Sequence, residues 1–146
     1  MRRALARAGY EPAAVDAVLA RLAEYRYLDD AGYAARLART RLRYDGLGRH
    51  RIRQDLRLRG VDGKTADAGI AAAAAEIPEA EALDRAAQKY WRSHATDEPK
   101  LRLRKLWAFL VRRGFPAGLV HDRLGDLWPR WREALEGLEA AEGSED

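Results

Sequence analysis

The amino-acid sequence predicts an all-α protein made of tandem three-helix repeats that form an elongated, curved helical array. Two compositional features and one repeat predict this fold. Of the 146 residues, 47% are hydrophobic, many of them Ala, and 34% are charged, which favours helices with thin cores. Val and Ile, which favour strands, are few. A short pattern typical of helix ends also occurs three times at nearly constant spacing.

The repeated pattern is Leu-x-x-x-Gly-apolar, read as LARAGY, LRLRGV and LVRRGF, and its glycines are 51 and 54 residues apart. Helices often end with a left-handed Gly, followed by an apolar residue that packs back on the last turn. The pattern therefore predicts three helix ends at Gly9, Gly60 and Gly114, with the apolar contacts Leu5–Tyr10, Leu56–Val61 and Leu110–Phe115.

A new helix is predicted directly after each of these ends. Pro12 and Pro116 suit a first helical turn, and Asp62 suits an N-cap. Apolar residues then recur six, ten and thirteen residues after each glycine, which places them on one helix face. They are Val15, Leu19 and Leu22, then Ala66, Ile70 and Ala73, and finally Val120, Leu124 and Leu127.

A third helix is expected before the second and third copies of the pattern. The predicted helices are Asp30–Tyr44 and Gly48–Arg59 in one unit, and Glu79–Ser93 and Pro99–Arg113 in the next. The predicted division is an incomplete first unit at 1–28, a basic unit at 29–77, a third unit at 78–128, and a C-terminal helix with an acidic tail at 129–146.

Two adjacent aspartates mark the expected start of the basic unit. Asp29 is predicted to be an N-cap, with Asp30 in the first turn, where a carboxylate favours the positive end of the helix. Leu28 and Tyr33 would then form a hydrophobic staple. Adjacent carboxylates on a helix point in different directions, so capping is favoured over an acid–base or metal-binding role.

The helix that follows is predicted to have an apolar face and a basic face. At 100° per residue, Tyr33, Leu37, Thr40 and Tyr44 share one face, with Ala34 at its edge. Arg41 falls near this face and is expected to snorkel or to pair with an acid. On the next helix, Ile52 and Leu56 are predicted to face inward.

Charge is unevenly distributed along the chain. Residues 36–59 contain nine arginines and two aspartates, a local net charge of +7, whereas residues 133–146 contain six acids and no base. Such a distribution favours a polyanionic partner, either nucleic acid or an acidic protein groove. The short linker at 45–48 would let two basic helix faces merge into one patch. The predicted contact residues are Arg36, Arg39, Arg43, Arg51, Arg53 and Arg57.

The sequence contains no pattern typical of an enzyme. Cysteine is absent, and serine occurs only at Ser93 and Ser144, which argues against thiolate and serine chemistry. The three histidines are far apart, so no metal site is expected. The segment at 60–65 lacks the first glycine of a phosphate loop. We therefore expect no catalytic, cofactor or metal site, no secretory signal and no membrane contact, and a cytoplasmic protein.

Three segments resemble the RecX family of recombinase regulators. YLDDAGYA at 27–34 and GLGRHRIRQDLRLRGV at 46–61 are similar to the signature region of that family, and KLWAFLVRRGFPAGLV at 105–120 is similar to its C-terminal unit. The resemblance implies tandem three-helix repeats and a regulatory function without a cofactor. Family members usually carry a further N-terminal helix before the first Leu-x-x-x-Gly, so the first unit here is expected to be truncated.

The resemblance also implies a partner, the RecA filament on single-stranded DNA. Family members bind in the helical groove of the filament, reduce its ATP hydrolysis, strand exchange and coprotease activity, and can block its extension. A monomer with weak direct DNA binding is expected. Two alternatives stay open: a helical nucleic-acid-binding protein acting through phosphate contacts, and a scaffold that binds a protein through Trp128 and Trp131.

Overall fold

The fold is a series of helices, known from a computed structural model that describes residues 2–129 and residue 133. These residues form no strand, and none of the helices among them is long and apolar enough to cross a membrane. The predicted all-α class with three-helix repeats is confirmed. The helices are α1 (Arg2–Arg7), α2 (Pro12–Thr40), a π-helical turn (Arg41–Asp45), α3 (Arg49–Leu58), α4 (Gly63–Glu76), α5 (Glu79–Ser93), α6 (Pro99–Arg112) and α7 (Ala117–Leu127).

The predicted helix end at Gly60 is confirmed in its hydrogen bonds. Gly60 has a φ of +84°, and its N–H donates to the carbonyl oxygen of Arg57 at 3.0 Å. The N–H of Val61 donates to the carbonyl oxygen of Leu56 at 3.1 Å. These two bonds define a Schellman motif, and the side chains of Leu56 and Val61 are both buried.

The other two copies have the same turn in different surroundings. Gly9 and Gly114 have φ values of +86° and +93°, and equivalent pairs of hydrogen bonds end α1 and α6. Phe115, which follows Gly114, is 1% exposed, whereas Tyr10, which follows Gly9, is 60% exposed. The local motif is therefore complete at the first copy, but its apolar residue packs into no core.

The predicted start of a helix at Asp29 is wrong. Helix α2 runs without interruption from Pro12 to Thr40, so Asp29 and Asp30 lie in its interior and cap nothing. An N-cap residue bonds backbone N–H groups that have no helical partner, and inside a continuous helix the preceding turn already accepts them. The chain has neither Gly nor Pro at 13–31, so nothing there ends the helix. The predicted boundary at 28/29 falls within α2.

The staple predicted for Tyr33 is also wrong, because no helix begins beside it. The Tyr33 ring is instead partly buried against the core. Its hydroxyl accepts a hydrogen bond from Nη1 of Arg59 at 2.8 Å. Tyr33 thus links α2 to the C-terminal end of α3.

The buried face of α2 differs in part from the predicted face. Its centre is Ala34 and Ala38, and it continues through Leu42 of the π-helical turn, all at most 1% exposed. Thr40 is exposed, and Tyr44 of the same turn is 75% exposed. Small residues occupy the centre because α4 packs very closely there. A Cβ atom on Gly69 of α4 would lie 2.6 Å from the Cβ atom of Ala34. The sequence-based prediction placed larger side chains, such as that of Tyr44, on this face and put Ala34 at its edge.

The helix starts and apolar stripes mostly agree with the prediction. Pro12 is the first residue of α2, and Pro116 directly precedes α7. Oδ1 of Asp62 accepts a hydrogen bond from the N–H of Thr65 at 2.9 Å, which caps α4 as predicted. Ile52 and Leu56 of α3 face inward. The second and third stripes lie on the core, but in the first stripe Leu22 is 46% exposed.

The N-terminus of α3 is capped by the third unit rather than by its own side chains. The N–H of Gly48 donates to the carbonyl oxygen of Arg113 at 2.9 Å, and that of His50 donates to Gly114 at 3.0 Å. The N–H of Arg49 donates to Oε1 of Glu79 at 2.8 Å. Three successive amides at the start of α3 therefore find their acceptors 30 to 65 residues further along the chain, and the two units are joined by backbone bonds.

Candidate partner-binding surface

The arginines of α2 and the π-helical turn that were predicted to bind a partner differ in whether another residue pairs with them. Arg36 and Arg43 are exposed and have neither an ion-pair nor a hydrogen-bond partner among the described residues. Arg39 is half-buried, and its Nε lies 2.9 Å from a carboxylate oxygen of Glu76 in α4. Both side chains of this pair remain more than a third exposed, and such surface pairs contribute about 0–1 kcal/mol.

The predicted arginines of α3 show the same division. Arg57 is exposed, and the described part of the chain provides no charged or hydrogen-bonding partner for it. Nε of Arg53 lies 2.9 Å from Oδ1 of Asp67 in α4, with both side chains 57% exposed. Nε of Arg51 lies 3.5 Å from Oδ1 of Asp55 within α3. Each of these ion pairs can open to a competing anion at low cost.

Helix α4 separates two of the predicted contact residues. Arg39 reaches Glu76 from α2, and Arg53 reaches Asp67 from α3. Nine residues of an α-helix correspond to about 180° around the axis and about 13.5 Å along it. The guanidinium groups of Arg39 and Arg53 therefore lie on opposite sides of α4, and these two arginines do not meet in one patch.

Arg41 was expected near the apolar face with an acidic partner, and this is confirmed. Its Nη1 donates to Oδ2 of Asp45 at 2.7 Å, and its Nε lies 3.6 Å from Oδ2 of Asp55. The hydrogen bond to Asp45 is the main reason why the pKa of Arg41 is raised. Asp55 is shared with Arg51, so these four residues form a network that ties the π-helical turn to α3.

One strong contact at the unit junction was not predicted. Glu79 is only 9% exposed, and its Oε2 lies 2.7 Å from Nε of Arg49, while Oε1 accepts the backbone N–H of the same residue. The 30 residues between the partners leave no local pattern that could reveal the pair. Only the packing of α5 beside the start of α3 brings them together.

Several side chains of the third unit make packing contacts with one another. The ring of His94 stacks on Tyr90 at a centroid distance of 3.8 Å, and that of Trp91 lies 4.8 Å from Trp128. The guanidinium of Arg102 covers the Trp91 ring at 3.7 Å. No group of three or more His, Asp or Glu side chains suited to a metal ion occurs among the described residues. Trp131 and most of the predicted acidic tail lie outside those residues.

Comparison with known proteins gives two family matches. Residues 29–70 match the description "RecX, second three-helix domain", and residues 78–122 match "RecX, third three-helix domain". Together these matches cover more than half of the chain. They include all six predicted contact arginines and the junction between α3 and α5.

Similar proteins include several curated ones named "Regulatory protein RecX". One from Mycobacterium sp. (strain JLS) is 33% identical over 123 residues, which are 81% of this chain and 66% of that protein. One from Deinococcus radiodurans is 29% identical over 93% of this chain and 60% of its own length. The chain thus spans slightly less than two thirds of the length of these relatives.

Two solved structures have a similar fold. A crystal structure of regulatory protein RecX has a TM-score of 0.63 at 27% identity, covering 85% of this chain and 61% of the other. RecX from Lactobacillus salivarius has a TM-score of 0.65 at 17% identity, covering 86% of this chain and 81% of the other. At that identity the second likeness concerns the fold alone.

Proposed function

Because the chain belongs to the RecX family, we propose that it is a non-catalytic regulator of the RecA recombinase. In this proposal it binds the RecA filament on single-stranded DNA, lies in the helical groove of the filament, and reduces ATP hydrolysis, strand exchange and coprotease activity. Such a function places the protein in the cytoplasm. The single observation that carries the proposal is the set of exposed, unpaired arginines on α2, the π-helical turn and α3, within the matched second three-helix domain.

The contact residues that we propose are two classes of arginine, and Arg39 and Arg53 belong to separate patches on opposite sides of α4. Arg36, Arg43 and Arg57 are free, so an anion of the filament would meet them without displacing a partner. The remaining three, Arg39, Arg51 and Arg53, would first release Glu76, Asp55 and Asp67. Guanidinium groups bind carboxylates and phosphates bidentately, so the same surface suits acidic side chains of RecA and the DNA backbone.

The junction between the units supports the inhibitory part of the proposal. The backbone hydrogen bonds of Gly48 and His50 to the third unit make the connection between the second and third units stiff rather than flexible. A stiff body that contacts more than one RecA protomer would restrain the motions between protomers. It would also exclude a second DNA strand or a cleavage substrate from the groove.

The experiment that tests this function is ATP hydrolysis by a preformed RecA filament, with this protein at far fewer copies than RecA. We expect strong inhibition by the wild-type protein. The double variant Arg36→Glu/Arg43→Glu should inhibit at least tenfold less, because both free cations become anions. Arg104→Glu/Arg112→Glu is the matched control, since both arginines are exposed on α6 and the double substitution makes the same charge change away from the proposed contact residues.

The outcomes separate the function from its site. No inhibition by the wild-type protein contradicts filament regulation. Inhibition that survives in the double variant keeps the function but removes the α2 surface as the contact. Equal losses in Arg36→Glu/Arg43→Glu and in Arg104→Glu/Arg112→Glu would mean that net charge alone matters, and circular dichroism of each variant checks that the helices are retained.

A second candidate function is a nucleic-acid-binding protein that acts through phosphate contacts alone. The free cations at Arg36, Arg43 and Arg57 favour it as much as they favour a filament partner. It predicts tight binding to naked DNA whose affinity falls steeply with salt, by a slope of about 0.7 for each phosphate contact on single strands. Binding of that kind without inhibition of RecA would favour this alternative.

A further inference from the structure

A cleft at the junction of the second and third units shares only Arg43 with the proposed contact residues. It lies between the π-helical turn and α5, and α6 contributes to its floor. Its volume is about 600 Å³, within the range of roughly 300–1,000 Å³ that is usual for small-molecule sites. Neither unit forms this cleft alone.

The cleft is strongly cationic. Among the described residues that line it, the only acidic side chain is that of Asp45, which is already bound to Arg41 at 2.7 Å. Four cations face this single neutralised carboxylate, so the cleft carries an uncompensated positive charge. These four cations are Arg43, Arg85, Lys89 and Arg113.

Two of the four cations are held in place and two are free. Nη2 of Arg85 donates to the carbonyl oxygen of Leu42 at 3.2 Å, and Nη2 of Arg113 donates to that of Asp45 at 2.7 Å. Both guanidinium groups keep their full charge because carbonyl oxygens are neutral. Arg43 and Lys89 are exposed and have no acidic or hydrogen-bonding partner in the described part of the chain.

The cleft is also aromatic. Tyr44, on the π-helical turn, is 75% exposed, and its hydroxyl makes no hydrogen bond to any described residue. The stacked rings of Tyr90 and His94 come from α5, and Phe109 lies 4.7 Å from Tyr90. Those three rings are used in packing, whereas the ring of Tyr44 is available to a ligand.

We propose that this cleft binds single-stranded nucleic acid, with one unstacked base on the ring of Tyr44 and the adjacent phosphates on Arg43 and Lys89. A stacked duplex offers no free base face, and an acidic peptide would use the cations but leave the tyrosine ring without a partner. A single strand matches both features, because cationic grooves follow its backbone and exposed aromatic rings stack on its bases. This inference goes beyond the proposed function and does not require RecA.

The test compares two fluorescein-labelled oligonucleotides of equal length, oligo(dT) and the same strand with abasic sites, by anisotropy with no RecA present. The wild-type protein should bind oligo(dT) about fivefold more tightly, the low end of the gain from one stacked base. Tyr44→Ala should lose this preference, whereas Tyr44→Phe should keep it because the ring remains. Tyr25→Ala is the matched control, since Tyr25 is 71% exposed on α2 and does not line the cleft.

The phosphate contacts are tested by salt dependence. Lys89→Gln should weaken the binding of both oligonucleotides and lower the slope of log affinity against log salt by about 0.7, the value for one phosphate on a single strand. The preference for oligo(dT) should remain, because Tyr44 is untouched. A change in preference without a change in slope would contradict the assigned role of Lys89.

Three results would overturn the proposal. The first is no binding of either strand at low salt. The second is equal affinity of the wild-type protein for oligo(dT) and the abasic strand. The third is competition by a poly-glutamate peptide as effective as that by unlabelled oligo(dT), which would assign the cleft to an acidic protein segment. Since RecA is absent, none of these results bears on inhibition of the filament.

Discussion

The turns at Gly60 and Gly114 have nearly the same backbone, with φ values of +84° and +93°, but very different surroundings. A Cβ atom added to Gly60 would meet nothing within 4 Å, whereas one on Gly114 would lie 2.3 Å from the backbone nitrogen of Arg51. At Gly60 only local backbone conformation requires glycine. At Gly114 the close contact between the second and third units requires glycine as well. The same sequence pattern therefore has two structural roles there.

The largest difference in stability between the two turns should come from substitutions of their apolar residues, Phe115 and Val61. Phe115→Ala should lower the free energy of unfolding by about 3–5 kcal/mol, because a fully buried aromatic ring is replaced by a cavity. Val61→Ala removes only two methyl groups from a buried site and should cost roughly 2 kcal/mol. Urea unfolding followed by circular dichroism measures both. Equal losses would mean that the core around Phe115 collapses to fill the space.

The glycines themselves provide the next test. Gly60→Ala should cost about 1 kcal/mol from the left-handed conformation alone. Gly114→Ala adds the overlap with Arg51 and should cost about 2–4 kcal/mol. All four tryptophans lie after residue 90, so their fluorescence reports the third unit, whereas circular dichroism reports all helices.

Loss of the contact between the second and third units should therefore be visible when the unfolding transitions from the two probes are compared. The two probes should give coincident transitions for the wild-type protein and for Gly60→Ala, and separate ones for Gly114→Ala. Coincident transitions in Gly114→Ala would show that the contact between Gly48 and Gly114 is not what makes the units unfold together.

A smaller loss of stability is expected from breaking the side-chain contact between Glu79 and Arg49, which lies beside Gly114. Glu79→Ala leaves the backbone N–H and the guanidinium of Arg49 without their acceptor, and should cost about 1–3 kcal/mol. The matched control is Asp67→Ala, which removes the surface pair with Arg53 and should cost about 0–1 kcal/mol. Urea midpoints compare the two variants. A larger loss in Asp67→Ala would contradict the importance of the junction.

The smallest expected effect on stability depends on pH. It distinguishes α4 and α7, the helices that follow the turns at Gly60 and Gly114. Asp62 caps α4, whereas Pro116 provides no side-chain cap for α7. Hydrogen bonds from Thr65 lower the pKa of Asp62 below its ordinary value of 3.8. Its stabilisation is therefore present above pH 3.8 and is lost as the pH falls through the lower pKa of the folded state.

Asp62→Ala should thus lower the melting temperature slightly at neutral pH and reduce its dependence on pH between about 4 and 2. Asp62→Asn is the control, since it keeps a capping oxygen but cannot titrate. An unchanged pH dependence in both variants would mean that other carboxylates determine the acid transition.

Prediction from sequence succeeded where the determining interactions are local, and its errors have physical causes. The bounds of α5 were predicted to the residue, and those of α6 to within one. The start assigned to Asp29 failed because favourable capping residues do not end a helix that contains no breaker. The face assigned to Tyr44 failed because the close approach of α4 selects Ala34 and Ala38 rather than larger side chains.

The candidate contact surface shows the same limit. The sequence identified the arginines but not which of them are free, since the acids that pair with Arg39 and Arg53 are 37 and 14 residues away on α4. The cationic and aromatic cleft was not foreseen either. Tyr44 and Lys89 are separated by 45 residues and come from different units, so no spacing rule connects them.

The sequence by itself determined the helical class, the three glycine turns and the cap at Asp62, because each depends on hydrogen bonds that span at most five residues. Only the tertiary structure decided that α2 is continuous, that the third unit caps α3, and which arginines keep a free charge. Those features depend on contacts between helices. The free energies of these contacts arise from close packing and from interactions between residues far apart in the chain.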